Sequence, residues 1–217
     1  MVESTQKTRE EIKKELVEYS EGLLNKWDEL PFFHQDEEKK FFVKLDWVDG
    51  IPLAICKYKV AGMTKEHVQS WYDDPSQLKV LNPKNKFTDL ENDGEHKMRH
   101  VLVGTPMMVT NRVFIATWYT WEESDGTKII MSSSKGNEAY YEKHKALHGS
   151  AVIANYVVAY NKITPCEGGM EILQVSQMDP AGMLPGFIKT KMSQRMGMNL
   201  SYVVDFLMTG AVPPAPF

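Results

Sequence analysis

Four short turn signatures divide this chain and leave it few architectures. Asp49-Gly50, Asn92-Asp93-Gly94, Asp125-Gly126 and Glu167-Gly168-Gly169 each stand between runs rich in β-branched and aromatic residues. Links this short join antiparallel neighbours, because a parallel pair needs a crossover of a dozen residues or more. The runs are Phe41 to Val48, Leu53 to Val60, Phe87 to Glu91, His96 to Val103, Val113 to Glu122, Lys128 to Ser133, Val152 to Lys162 and Met170 to Gln177. Alternation is clear in the second, where Leu53, Ile55 and Lys57 face one way and Ala54, Cys56 and Tyr58 the other.

Helical periodicity brackets these strands. Near the start, Ile12, Leu16, Tyr19, Leu23, Trp27 and Leu30 recur at steps of three and four, and Pro31 ends the pattern. At the far end, Leu184, Ile188, Met192, Met196, Leu200, Val203 and Leu207 draw one apolar stripe along a helix from Leu184 to Met208. Thr64 is placed to cap a short helix through Trp71 and Tyr72, and Pro75 to open another that stops near Asn82-Pro83. Lys135 to Ser150 is polar and reads as a long surface loop. The Pro-rich end, 210–217, reads as a flexible tail. A sheet of hairpins covered by a long helix is α+β, and the 217 residues suit one domain, 1–217.

Composition narrows the function. A net charge of −4 with no Lys/Arg-rich stretch argues against nucleic acid as a partner. No apolar run approaches the roughly 20 residues of a membrane-spanning helix, and Met1 to Arg9 is too polar for a signal peptide. Cys56 and Cys166 belong to no CxxC pair and read as free thiols. No P-loop, GxGxxG or GxSxG elbow is present. His144 and His148 have i, i+4 spacing but no zincin glutamate between them, so neither a metal nor a cofactor is expected. The 13 methionines suit either irregular core packing or a cavity that adapts to a flexible apolar guest.

Three segments carry a resemblance. Thr105-Pro106-Met107-Met108-Val109-Thr110-Asn111-Arg112-Val113-Phe114 resembles the apolar-(Ser)-x-Arg-Asp-aromatic stretch of the START (steroidogenic acute regulatory protein-related lipid transfer) family. Leu81-Asn82-Pro83 resembles its Trp-Asn-Pro, and Asp179-Pro180-Ala181-Gly182-Met183-Leu184-Pro185 its Asp-x-Gly-Gly-x-(Ile/Leu)-Pro ahead of the last helix. The order and spacing agree over nearly the whole chain. Chemically, Asp179 suits a turn cap, Gly182 a sharp change of direction, and Arg112 a guanidinium that fixes a strand start by bonding carbonyls or a carboxylate.

The resemblance implies a helix-grip fold, a curved antiparallel sheet wrapped around the C-terminal helix with an N-terminal helix outside. It also implies one hydrophobic lipid (phospholipid, sterol or related) held in an internal cavity and transferred between membranes. The expected protein is a cytoplasmic monomer, not an enzyme, with transient membrane contact. Some positions depart from the family pattern. Val113 stands where many members have Asp, and Leu81 where they have Trp. Arg99 and Trp118 fall where sterol binders place an acid and an Arg, and Val152-Ile153-Ala154-Asn155 lacks the Arg of Val-Ile-Arg-Ala.

On this reading the lipid-binding candidates are Arg99, Val101, Phe114, Trp118 and Tyr156 on strands, with Ile188, Met192, Met196, Val203 and Leu207 on the last helix. Arg99 is open to three readings: meeting a lipid phosphate or carboxylate, stacking on Trp118, or facing solvent. Gly182 and Gly197 are candidate points of lid motion. The alternative is an enzyme of cyclase or hydrolase type on a related fold, for which His100, Glu171 and Asp205 are the loose acid–base candidates. A third possibility is a lipid-gated interaction module.

Overall fold

The computed structural model describes residues 7–73, 79, 81–94, 96–105 and 109–214. The expected helix start at Pro75, the Pro106 to Met108 part of the first motif and the end of the tail, 215–217, lie outside these residues. In chain order come α1 (Arg9–Leu24), a 3-10 turn (Trp27–Glu29), β1 (Phe32–Asp36), β2 (Phe41–Val48), β3 (Ile51–Ala61) and α2 (Lys65–Asp73). Then follow β4 (Lys86–Asn92), β5 (His96–Val103), β6 (Arg112–Glu122), β7 (Lys128–Ser133), two short helices α3 (Glu138–Lys143) and α4 (Lys145–His148), β8 (Val152–Ile153), β9 (Asn155–Cys166), β10 (Gly169–Asp179) and α5 (Gly186–Thr209).

The strands form one ten-stranded sheet in the order β1-β2-β3-β10-β9-β7-β6-β5-β4, and β8 lies parallel to β6. Every other pairing is antiparallel. The fold is therefore α+β, as the hairpin signatures require. Both sheet faces are covered. In β3, Leu53, Ala54, Ile55 and Cys56 have no exposed surface at all. Leu53 and Ile55 point to the convex side with Ile12, Leu16, Leu23 and Trp27 from the α1 region. Cys56, Tyr58 and Val60 point to the concave side with Leu200 and Val204 of α5. Each such apolar side chain contributes about 1.5–3 kcal/mol on burial.

Local chemistry sets the ends of the helices. Thr8 and Glu11 form a reciprocal capping box that starts α1. α1 stops at Leu24, earlier than its stripe implied, and the chain turns through Trp27–Glu29 so that Trp27 still packs under the sheet. The stretch from Ala211 to Pro214 is irregular, because Gly210 closes α5 in the left-handed conformation at φ 73°.

Beyond the end of α1, the sequence and the structure differ in three further places. β1 was not foreseen; it is an edge strand whose side chains are largely exposed, so it has no buried face to read. The expected strand Val152 to Lys162 is broken at Ala154, whose N–H bonds the Val113 carbonyl at 2.8 Å. Polar Lys135 to Ser150 holds α3 and α4 instead of plain loop, pinned by the Tyr141 hydroxyl, which accepts the Ile115 N–H at 2.8 Å.

Candidate functional site

α5 rests on β2, β3 and β10. Gly197 sets how closely it sits: a Cβ there would meet Val43 Cγ1 at 2.7 Å and Leu45 Cδ2 at 3.0 Å. The buried Cys56 thiol donates to the Gly197 carbonyl at 3.2 Å. Gly197 is thus a close-approach glycine between helix and sheet. Beyond this contact the sheet curves away from α5, and a cavity of about 280 Å³ opens between them.

Strands β4 to β7, β9 and β10 wall the cavity on one side, and the Met192, Arg195, Met196, Asn199 and Val203 stripe of α5 on the other. Among the sequence candidates, Arg99, Val101, Phe114, Trp118, Tyr156, Met192, Met196 and Val203 all reach the wall. Ile188 and Leu207 do not: Ile188 is half-buried near the start of α5, and Leu207 packs against the concave core. Phe114 and Tyr156 stack with ring centres 4.9 Å apart. Burial pushes the Tyr156 hydroxyl above the usual tyrosine range, while Ser176 beside it acts in the opposite sense.

Arg99 is buried at the wall and already partnered. Its Nε donates to Asp89 at 2.7 Å, from the directly opposed position on β4, and its guanidinium lies 5.4 Å from the centre of the Trp118 ring. Arg112 reads as expected: its guanidinium donates to the carbonyls of Pro180, Ala181 and Thr110. It therefore ties the start of β6 to the turn before α5. In that turn Asp179 accepts the Ala181 N–H at 2.9 Å, and Gly182 adopts φ 67°.

A polar set escaped the sequence reading. Gln174 Nε2 donates to Asn161 Oδ1 at 2.7 Å, and Asn161 Nδ2 to the Ile130 carbonyl at 3.3 Å, with Ser132 and Ser176 also in the wall. On α5, Arg195 and Asn199 lie one turn apart. Arg195 donates to the Leu81 carbonyl at 3.1 Å and stacks 4.3 Å from the Tyr202 ring centre. Burial pulls its guanidinium below its ordinary value, and Tyr202 opposes that. The inward faces of β9 and β10 do carry these polar residues at period two, so alternation could have located the strand members.

None of the enzyme candidates lines the cavity. His100 is on the convex face, where its Nε2 meets His148 Nδ1 at 3.1 Å. Glu171 is exposed, and Asp205 pairs with Lys39 at 3.1 Å. Among the described residues, no cluster of His, Cys, Asp and Glu is arranged to hold a metal. No helix among them is long and apolar enough to cross a membrane.

No protein-family profile and no curated protein sequence matches the chain. Solved structures do match. Human STARD10 is similar at 16% identity and TM-score 0.71, over 95% of this chain and 82% of that one. Human StAR-related lipid transfer protein 5 is similar at 11% identity and TM-score 0.67, over 91% and 98%. A STAR-related lipid transfer protein from Xanthomonas axonopodis is similar at 14% identity and TM-score 0.63, over 83% and 99%. At these identities the likeness speaks to architecture, and this chain has the helix-grip fold of the START-type lipid transfer domains.

Proposed function

We propose that this chain binds one hydrophobic lipid in the cavity under α5 and carries it between membranes. The observation that carries the reading is the wall itself: an apolar surface of Phe, Trp, Val, Ile and Met with two arginines, a few amides and hydroxyls, and no Asp, Glu, His, Lys or Cys among its described residues. Such a surface retains a guest by keeping it from water, at about 0.8 kcal/mol per buried methylene. Among the described residues it offers no acid–base pair, and its hydroxyls have no carboxylate, imidazole or amine beside them in the wall to activate them. The protein on this reading is a carrier and not an enzyme, and it works as a cytoplasmic monomer. The solved structures it resembles include proteins named for lipid transfer.

Uptake requires α5 or its flanking turns to move, through a minor open state a few kcal/mol above the closed one. Met183, fully exposed in the turn before α5, and Phe187, 65% exposed in its first turn, are the apolar side chains we assign to brief membrane contact. The test is transfer of a fluorescent lipid between donor and acceptor vesicles, run in parallel with a phosphatidylcholine, a sterol and a ceramide. Substoichiometric protein is expected to accelerate exchange of at least one. Met196→Glu, which places a charge in the wall, should abolish that acceleration while the circular dichroism spectrum stays folded. Equal transfer by the variant and the parent would remove the cavity from the account.

A further inference from the structure

The cavity wall carries two charged side chains among the described residues, and both are arginines. They are not equivalent. Arg99 is neutralised by Asp89 at 2.7 Å. Arg195 has no carboxylate partner among the described residues. Its Nη2 donates to the Leu81 carbonyl and Tyr202 stands against its guanidinium as a second polar neighbour, but its Nε is buried with no partner. A guanidinium has five N–H donors in a planar fork. Leaving one buried and unsatisfied is unfavourable, the more so on a charged group. One turn along α5, Asn199 also faces the cavity, and its Oδ1 is buried without a partner. Arg195 and Asn199, four residues apart on one helix face, both line the cavity, and each keeps a polar atom without a partner at the wall.

From this we infer that Arg195, assisted by Asn199, binds the anionic oxygen group of an acyl lipid, a carboxylate or a phosphate. The inference rests on the carrier reading and specifies its ligand class. The planar fork of Arg195 matches two oxygens of either anion side by side. Met192, Met196 and Val203 flank it on the same stripe, so a chain attached to the anion runs along the apolar wall. Among the described residues of the wall there is no Asp or Glu to repel the anion. Asn199 completes the contact through its amide, whose oxygen and nitrogen exchange places by a simple flip.

The test compares oleate, dioleoyl phosphatidic acid and monoolein, an uncharged lipid with the same acyl chain, at neutral pH. Binding is followed by tryptophan fluorescence, because Trp71 and Trp118 both lie in the wall. The parent chain should prefer at least one anionic lipid to monoolein by about tenfold or more. Arg195→Gln should remove that preference with monoolein binding unchanged, and Arg195→Lys should keep part of it. Preference for oleate identifies a carboxylate ligand, and preference for the phosphatidic acid a phosphate. Matched melting temperatures of the two variants and the parent check that the fold is intact. The anion subsite is overturned if Arg195→Gln binds all three lipids like the parent, or weakens all three equally. In both of those cases lipid is bound and the carrier reading stands. Failure of the parent to bind any of the three overturns the inference and counts against the carrier reading with it.

Discussion

The two faces of the sheet are both apolar, and they are finished differently. Under α1 the convex layer is closed. Ile12, Leu16 and Trp27 pack against Tyr119, Met131 and Tyr160, and the polar groups there have partners. Lys44, nearly fully buried, donates to the Trp27 carbonyl and lies 4.7 and 4.4 Å from the Trp27 and Phe32 ring centres. The Tyr160 hydroxyl donates to Glu21 at 2.7 Å. Under α5 the concave layer is left open. It keeps a cavity, and of the four buried side-chain polar atoms without partners among the described residues, Ser193 Oγ, Arg195 Nε and Asn199 Oδ1 all belong to that one helix. Interiors normally satisfy such groups and fill such space. The difference teaches that the convex layer serves stability, while the concave layer gives up some packing, on the carrier reading for a guest.

This contrast predicts where substitutions hurt, and the largest effect lies on the convex side. Leu16→Ala leaves a void in a filled layer and should destabilise the chain by about 2–5 kcal/mol, seen as a lower denaturation midpoint, with the lipid bound per folded chain unchanged. Gly197→Ala comes next. The new methyl meets Val43, which is fully buried and stiff. Overpacking of about 1–3 kcal/mol exceeds the roughly 1 kcal/mol gained in helix propensity. A stabilised Gly197→Ala variant would show that α5 is not tightly seated there. Smaller still is Met192→Ala, expected to cost less than about 1 kcal/mol, below the usual Met→Ala range, because its side chain already borders open space. A loss as large as that of Leu16→Ala would mean the concave layer is packed like the convex one.

At neutral pH the smallest effect belongs to His100. Burial pulls its pKa down to about 4, with His148 and His144 adding to the shift. The folded state thus binds this proton less readily than the unfolded chain, whose histidine titrates near 6.5. The contribution of the neutral ring is complete above that value and is lost as pH falls from there toward 4. His100→Gln should flatten the dependence of unfolding free energy on pH in this window, with lipid binding intact. An unchanged slope would remove His100 from the acid sensitivity of the convex layer.

Much of this fold is legible in the sequence, for physical reasons. Turn dipeptides such as Asp49-Gly50 demand left-handed backbone, and Asp49 and Gly50 both adopt positive φ. Period-two alternation puts Phe114 and Trp118 on one face of β6, but both faces are buried, so it is the resemblance to the START pattern that favours that face as the inward one. Arg112, within the START-like motif, reads as fixing a strand start through carbonyls or a carboxylate, and carbonyls are its partners. What stayed hidden shares a cause. A helical stripe is found by collecting apolar residues, and that procedure passes over Arg195 and Asn199, although they lie three residues after Met192 and Met196 on the same face. Arg99 is open in the sequence to an inward or a solvent-facing reading, because its partner Asp89 lies on a neighbouring strand and register is needed to pair them. Ala154 breaks a run of strong strand formers only because its N–H finds the Val113 carbonyl across the sheet.

The central claim is that the concave layer is a chamber for one lipid. Native mass spectrometry of the chain after exposure to mixed sterols, phospholipids, fatty acids and ceramides tests it most directly. The account predicts one lipid per chain in the parent and in folded Leu16→Ala, and none in Met196→Glu. A parent that stays empty after such exposure, or a Met196→Glu variant that carries lipid as the parent does, would contradict it.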